Sequence, residues 1–184
     1  MEVKNAIVWG LEESIRASGF PMLGTGTQDR AETLGRCKPG TGHDCFLKGI
    51  IVQADITAPQ YWWLQWQRYH FCDIVSSQSK MHRITKMNLE KQCNSLVSEE
   101  AIHNLRSIII NHKNGQVSLD EVLSNVPMGL ELKARITTNY LQLKSQYIQR
   151  KKHRSEEWQE YCRWILMLPD FKELTGVKND TNSN

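Results

Sequence analysis

Three of the chain's six tryptophans fall within five residues, in the run Trp62-Trp63-Leu64-Gln65-Trp66. Each indole brings a large apolar surface and one N–H that needs a partner, so three together require a core wide enough to take them. Trp62, Trp66 and Tyr69 recur at helical spacing, and Pro59 suits a first helical turn. The spacing predicts a buried helix over 59–71, its aromatic stripe facing a core or a subunit interface. Gln65 and Arg68, three apart, form a separate polar edge of the same helix. Burying an Arg without an anion is costly, so this edge is expected to face a ligand.

A chain of 184 residues, 40% hydrophobic and 23% charged, suits one folded domain with no need of a metal or a disulfide. Five cysteines, at positions 37, 45, 72, 93 and 162, are an odd number with irregular spacing, as expected of free thiols. A net charge of +3 requires no nucleic-acid partner. No apolar run approaches the roughly 20 residues of a membrane span. The first residues lack the pattern of a secretory signal, so the expected location is soluble and cytoplasmic.

Residues 5–18 read as an amphipathic helix, with Ile7, Leu11 and Ile15 at helical spacing, and 21–42 as a long loop rich in Gly, Thr and Pro. Residues 46–56 alternate, with Ile50, Val52, Ala54 and Ile56 on one face, and are predicted to be a strand. A polar loop is expected over 72–87. Helices follow from Ser98 to about His112, from Ser118 until shortly before Pro127, and around Trp158 to Leu166. Ile136, Tyr140, Leu143 and Tyr147 mark a long helix in between, on which Asn139, Gln146 and Arg150 share a face. The last residues, 177–184, read as a flexible tail.

Several local signals reduce to simpler readings. Residues 111–121 have part of the spacing of a calcium loop but lack its carboxylates, and Asn114-Gly115 reads as a turn. Cys37, His43 and Cys45 lack the spacing of a four-ligand zinc site, so no metal is expected. The basic run Arg150-Lys-Lys-His-Arg154 suits a solvated helix end, with a phosphate site as the sharper alternative.

Two longer segments carry a resemblance. Asp55-Ile-Thr-Ala-Pro-Gln-Tyr-Trp-Trp-Leu-Gln-Trp-Gln-Arg-Tyr-His70, followed by Ser76-Ser-Gln-Ser-Lys-Met-His-Arg83, resembles the central segment of the flavin-dependent thymidylate synthases. Asn139-Tyr-Leu-Gln-Leu-Lys-Ser-Gln-Tyr-Ile-Gln-Arg150, with Glu157-Trp158 downstream, resembles that family's later helix. Val126-Pro127 and the segment from His43 to Phe46 also match in order. The resemblance covers about 43–168, leaving 1–42 as a variable amino-terminal region. It implies an α+β fold of the thymidylate-synthase-complementing-protein type, helix-rich, with a central sheet flanked by helices. It also implies a homotetramer with nucleotide and FAD sites at subunit interfaces. The implied reaction is methylation of dUMP, with methylenetetrahydrofolate giving the carbon and reduced flavin the hydride.

Carried over by position, Gln65, Arg68, Ser79 and Arg150 match nucleotide-facing residues, with Lys80 beside them; Ser79 is also the position for a catalytic role. His70, Asn139 and Ser145 fall at flavin-facing positions. The departures concentrate on the flavin. The Arg-His-Arg signature reads Arg68-Tyr69-His70, the Ser-Gly-Arg turn reads Ser79-Lys80-Met81, and Leu141, Ser145 and Leu123 replace polar or cationic residues of the family. Losing several charged hydrogen bonds, each worth about 1.5–3 kcal/mol, weakens flavin binding by orders of magnitude unless they are replaced.

Two readings from different classes follow. One is a nucleotide-binding protein that sequesters or senses dUMP or a related, including a signalling, nucleotide. The other is an active, divergent enzyme of the kind bacteriophages carry, in which case its place is the host cytoplasm. The replaced flavin contacts favour the first. A structural oligomer with no ligand is the bland alternative.

Overall fold

The computed structural model describes residues 1–178. In chain order its elements are β1 (Glu2–Trp9), α1 (Leu11–Ala17), α2 (Gln28–Gly35), β2 (Ile51–Pro59), α3 (Gln60–Trp66), β3 (Asp73–Ser77) and α4 (Lys80–Arg83). There follow α5 (Leu89–Gln92), α6 (Glu99–Lys113), α7 (Leu119–Ser124), β4 (Glu131–Asn139), α8 (Tyr140–Arg150), α9 (Glu156–Ile165) and α10 (Phe171–Thr175). The four strands form one antiparallel sheet in the order β1-β2-β4-β3. This is the expected α+β architecture, a central sheet with many helices.

The β2–β4 ladder is its spine. Val52 pairs with Thr138, Ala54 with Ile136 and Ile56 with Ala134. These six side chains, with Ile50 and Ala58, are buried on one face, as period-2 alternation requires. Because the two strands are antiparallel, the helices that follow them start at opposite ends of the ladder. At one end the Gln60 amide donates to Leu130 O (3.1 Å), and at the other the Tyr140 amide donates to Ile50 O (3.0 Å). Both helices run back over the same face, and their carboxyl ends meet. Between them lie Trp62, Trp66, Trp158 and Tyr161, all fully buried. The Trp62 ring lies 5.1 Å from Trp158 and 5.3 Å from Tyr161. The aromatic stripe therefore belongs to this chain's own core. A second cluster, with Ile84, Leu105, Ile109, Val122 and Leu130, sits around α5, α6 and α7.

Several sequence expectations are corrected. The first half of the helix expected over 5–18 is strand β1, an edge partner of β2; Gly10, at φ 73, ends it before α1. Ile7 is 45% exposed, so its spacing to Leu11 and Ile15 marks no single face. The loop expected over 21–42 contains α2, capped by the Thr27 side chain, which accepts from the Arg30 amide at 3.3 Å. The strand expected over 46–56 is β2 and starts at Ile51, since residues 45–49 form a 3-10 turn. The Trp-rich helix stops at Trp66, so Arg68 lies on the turn beyond it. The Ser-rich stretch holds β3 and α4 rather than a loop. The long helix from Ile136 is strand β4 followed by α8. The helices at 99–113, 119–124 and 156–165 form close to where they were expected, and Gly115, at φ 76, makes the turn between the first two. Of the tail, Val177 and Lys178 are described and the remainder lies outside the described residues. No helix among the described residues is long and apolar enough to cross a membrane.

On the other face of the sheet, Asp55 ties the edge strand down. It accepts from Asn5 Nδ2 (2.8 Å) and Arg135 (3.1 Å), with Lys133 Nζ at 3.4 Å. Asn5, at φ 51, forms the bulge in β1. The Asn5 amide first, then the Arg135 guanidinium, lower the Asp55 carboxyl from 3.8 to about 2. A depressed carboxylate stabilises the fold fully above its unfolded value, and that stabilisation is lost as pH falls toward the folded one. Urea midpoints of the parent are therefore expected to fall between pH 3.8 and about 2, with a shallower fall in Asp55→Asn. Superimposable acid limbs would exclude this role.

Candidate functional site

The meeting point of α3 and α8 gathers two residues expected to touch a nucleotide. Gln65 Oε1 accepts from the Trp158 indole at 3.0 Å and faces an Arg150 nitrogen at 3.5 Å. Arg150 Nε donates to the Tyr69 hydroxyl (2.7 Å), and its guanidinium lies 4.5 Å from the Trp158 ring centroid and 5.6 Å from that of Tyr69. An Arg held flat on an aromatic face keeps its charge while its fork is aimed. Among the described residues no carboxylate forms an ion pair with it. Arg68 and His70 stand exposed on the adjoining turn, where neither makes a side-chain ion pair among the described residues.

Asn139 and Gln146, expected on a ligand-facing stripe with Arg150, are engaged elsewhere. Asn139 caps α8, accepting from the Gln142 amide at 2.9 Å. Gln146 is fully buried, accepting from the Tyr161 hydroxyl (2.9 Å) and donating to Cys72 Sγ (3.1 Å). Burial pushes the Cys72 thiol up to about 11 and that of Cys162 to about 12, so both stay protonated at neutral pH and are poor nucleophiles.

Ser79 and Lys80 lie at the far end of β3, and a five-residue strand spans roughly 17 Å. Ser79 caps α4, and its Oγ lies 2.8 Å from His82 Nδ1. Lys80 donates to Gln60 Oε1. Beside them opens a cavity of about 500 Å³ lined by Gln78, Ser79, His82, Arg83, Lys86 and Met87. It has two permanent cations, a histidine and no carboxylate, so it suits an anion. Sequence reasoning did not single out His82, Arg83 or Lys86. The signal was present as basic residues at 80, 83 and 86, one helical turn apart. Within one chain, then, the expected nucleotide residues form two separate groups.

Of the flavin-facing positions Ser145, with Leu141 on the same face, lines another cavity, of about 410 Å³, together with Gly40, Gly42 and Lys48, whereas His70 and Asn139 lie outside it. Beneath it Lys144 is buried with Asp44, each 2% exposed. Lys144 Nζ donates to Asp44 Oδ2 (2.6 Å), Gly35 O (2.8 Å) and Cys37 O (2.9 Å), which uses all three of its protons. Ser145 Oγ accepts from Gln149 at 3.2 Å. Lys48 is thus the one lining cation without an acidic partner among the described residues. A diphosphate placed there would meet that single free cation of this chain.

The chain superposes on flavin-dependent thymidylate synthase ThyX from Helicobacter pylori, in a crystal structure complexed with FAD and dUMP, at a TM-score of 0.76. The match covers 95% of this chain and 97% of that one at 14% identity. The fold is that of the flavin-dependent thymidylate synthases. A second crystal structure of the Helicobacter pylori enzyme with FAD and dUMP gives a TM-score of 0.72, with the same coverage and identity. No family model and no curated protein matches the chain in sequence. The ThyX-like fold is thus present at 14% identity.

Proposed function

We propose that this protein binds dUMP or a closely related nucleotide between copies of itself. The observation that carries the reading is Arg150, a guanidinium clamped by Trp158, Tyr69 and Gln65 and left without a carboxylate partner among the described residues. Gln65, Arg68 and Arg150 of one copy supply one wall. Ser79, Lys80 and the His82–Arg83–Lys86 cavity of another copy supply the phosphate side. Within one chain the two groups flank α3, Lys80 at Gln60 and Arg150 at Gln65, and the interface sites that the resemblance implies are the reason for placing them on two copies. A homotetramer, as in the resembled family, provides such pairs. Sequestration or sensing of the nucleotide follows from a site that keeps its nucleotide-facing cations and lacks those for flavin.

A second reading, an active enzyme methylating dUMP, is favoured by the solved neighbours, whose crystals hold FAD as well as dUMP. Ser79 is then the candidate catalytic residue, and His70, Asn139 and Ser145 border the flavin. One preparation separates the two readings. The purified protein is expected to be colourless, and flavin absorption bands would restore the enzyme. Calorimetry is expected to show dUMP binding at least about 10-fold tighter than deoxyuridine, one charged phosphate contact being worth about 1.5–3 kcal/mol. Equal affinity for the two would remove the phosphate from the site.

A further inference from the structure

The turn from 67 to 72 sorts its residues sharply. Tyr69 turns inward to Arg150 and Cys72 is buried, while Arg68, His70 and Phe71 are exposed. Phe71 is 71% exposed and its φ is 56°. The non-glycine residues at positive φ among those described are Asn5, Leu23, Phe71 and Asp170. Asn and Asp tolerate that region through local hydrogen bonds, whereas a bulky side chain there is strained. Leu23 closes a 3-10 turn by bonding back to Phe20 and adjoins no residue of the candidate site. Phe71 follows His70 directly and stands three residues after Arg68 on the same exposed turn. Leu23, 100% exposed, overrides the same two preferences away from the site; Phe71 is the aromatic case and stands beside it, its ring kept in water and its backbone in a conformation that Gly or Asn would hold more easily.

We infer that Phe71 is the platform on which the nucleotide's base stacks, with Arg68 and Arg150 donating hydrogen bonds to the nucleotide beside it. The inference rests on the nucleotide reading above. A phenyl face offers no hydrogen bonds, so it selects for a flat heteroaromatic ring and leaves the choice of base to other groups.

The test titrates dUMP and 2-deoxyribose 5-phosphate, which has no base, into the parent, Phe71→Asn, Phe71→Gly and Phe71→Trp. Loss of the ring is expected to weaken dUMP about 5- to 150-fold, the range that alanine substitution gives for one stacked base. Affinity for 2-deoxyribose 5-phosphate is expected to stay at the parental value, Phe71→Trp to retain dUMP, and Phe71→Asn to melt no lower than the parent. Parental dUMP affinity in the Asn and Gly variants overturns the inference. So does an equal loss of both ligands, or a change of oligomeric mass, which would make the ring a contact between copies. A parent that binds no dUMP overturns the nucleotide reading and this inference together. A parent that binds dUMP with Phe71 indifferent and Arg150 essential overturns the inference alone.

Discussion

Lys144→Met is expected to destabilise the protein by about 3–5 kcal/mol, the usual consequence of removing one partner from a buried ion pair. The substitution leaves the Asp44 carboxylate, 2% exposed, without its cation, and it strips the carbonyls of Gly35 and Cys37 of their donor. For a chain of this size each kcal/mol shifts the melting temperature by roughly 2–4 °C, so a fall of about 6–20 °C is expected in a thermal scan. The pair Lys144→Met with Asp44→Leu should recover part of that loss, since an apolar pair of similar volume often replaces a buried ion pair without cost. A double variant no more stable than Lys144→Met would show that the damage comes from the carbonyls and the packing instead. Either way the segment from 36 to 44 is held to α8 by one ammonium. That contact pairs residues 100 positions apart in the chain.

Arg150→Ala carries the largest expected effect on binding. Its loss removes a charge-assisted contact worth about 1.5–3 kcal/mol, so dUMP affinity measured by calorimetry should drop about 10- to 150-fold. Stability should change little, because stacking of a partly exposed cation on an aromatic ring contributes only about 0.5–1 kcal/mol. Arg150→Lys keeps the charge but loses the planar fork that lies on Trp158, and an intermediate affinity is expected. Unchanged affinity in both Arg150→Ala and Arg68→Ala would sink the site assignment.

Much of this architecture was readable in the side-chain pattern, and the misses have physical causes. Ile50, Val52, Ala54 and Ile56 announced the central strand because a sheet covered on one face enforces strict alternation, and all four are fully buried. Its partner carried the same signal in Leu132, Ala134, Ile136 and Thr138. There, Ile136 also stands four before Tyr140 in an unbroken helical series, so a strand running directly into a helix presents both periods at once. The edge strand β1 was hidden because Ile7 and Trp9 are each 45% exposed, and an edge strand gives a weak pattern. Capping chemistry located α6 and α7 correctly through Ser98 and Ser118, and the same chemistry at Thr27 would have located α2. Gln65 and Arg150 were found because both emerge from strong helices. The basic cavity was missed since its residues sit on a four-residue helix and a 3-10 turn, where the basic spacing at 80, 83 and 86 has no long apolar stripe beside it to mark a helix.

The two helices that leave opposite ends of the β2–β4 ladder and meet over its face make the position of Arg150 a matter of counting. One inserted residue in 51–66 or 131–150 would invert the strand's inward set or rotate the helix by about 100°, and the guanidinium would miss Gln65. Substitution there is comparatively free so long as size and polarity keep their alternation. A lineage under that rule can replace most of its letters while holding its lengths. Length and alternation kept in this way suffice for a chain to superpose over 95% of its length on another with which it shares 14% identity.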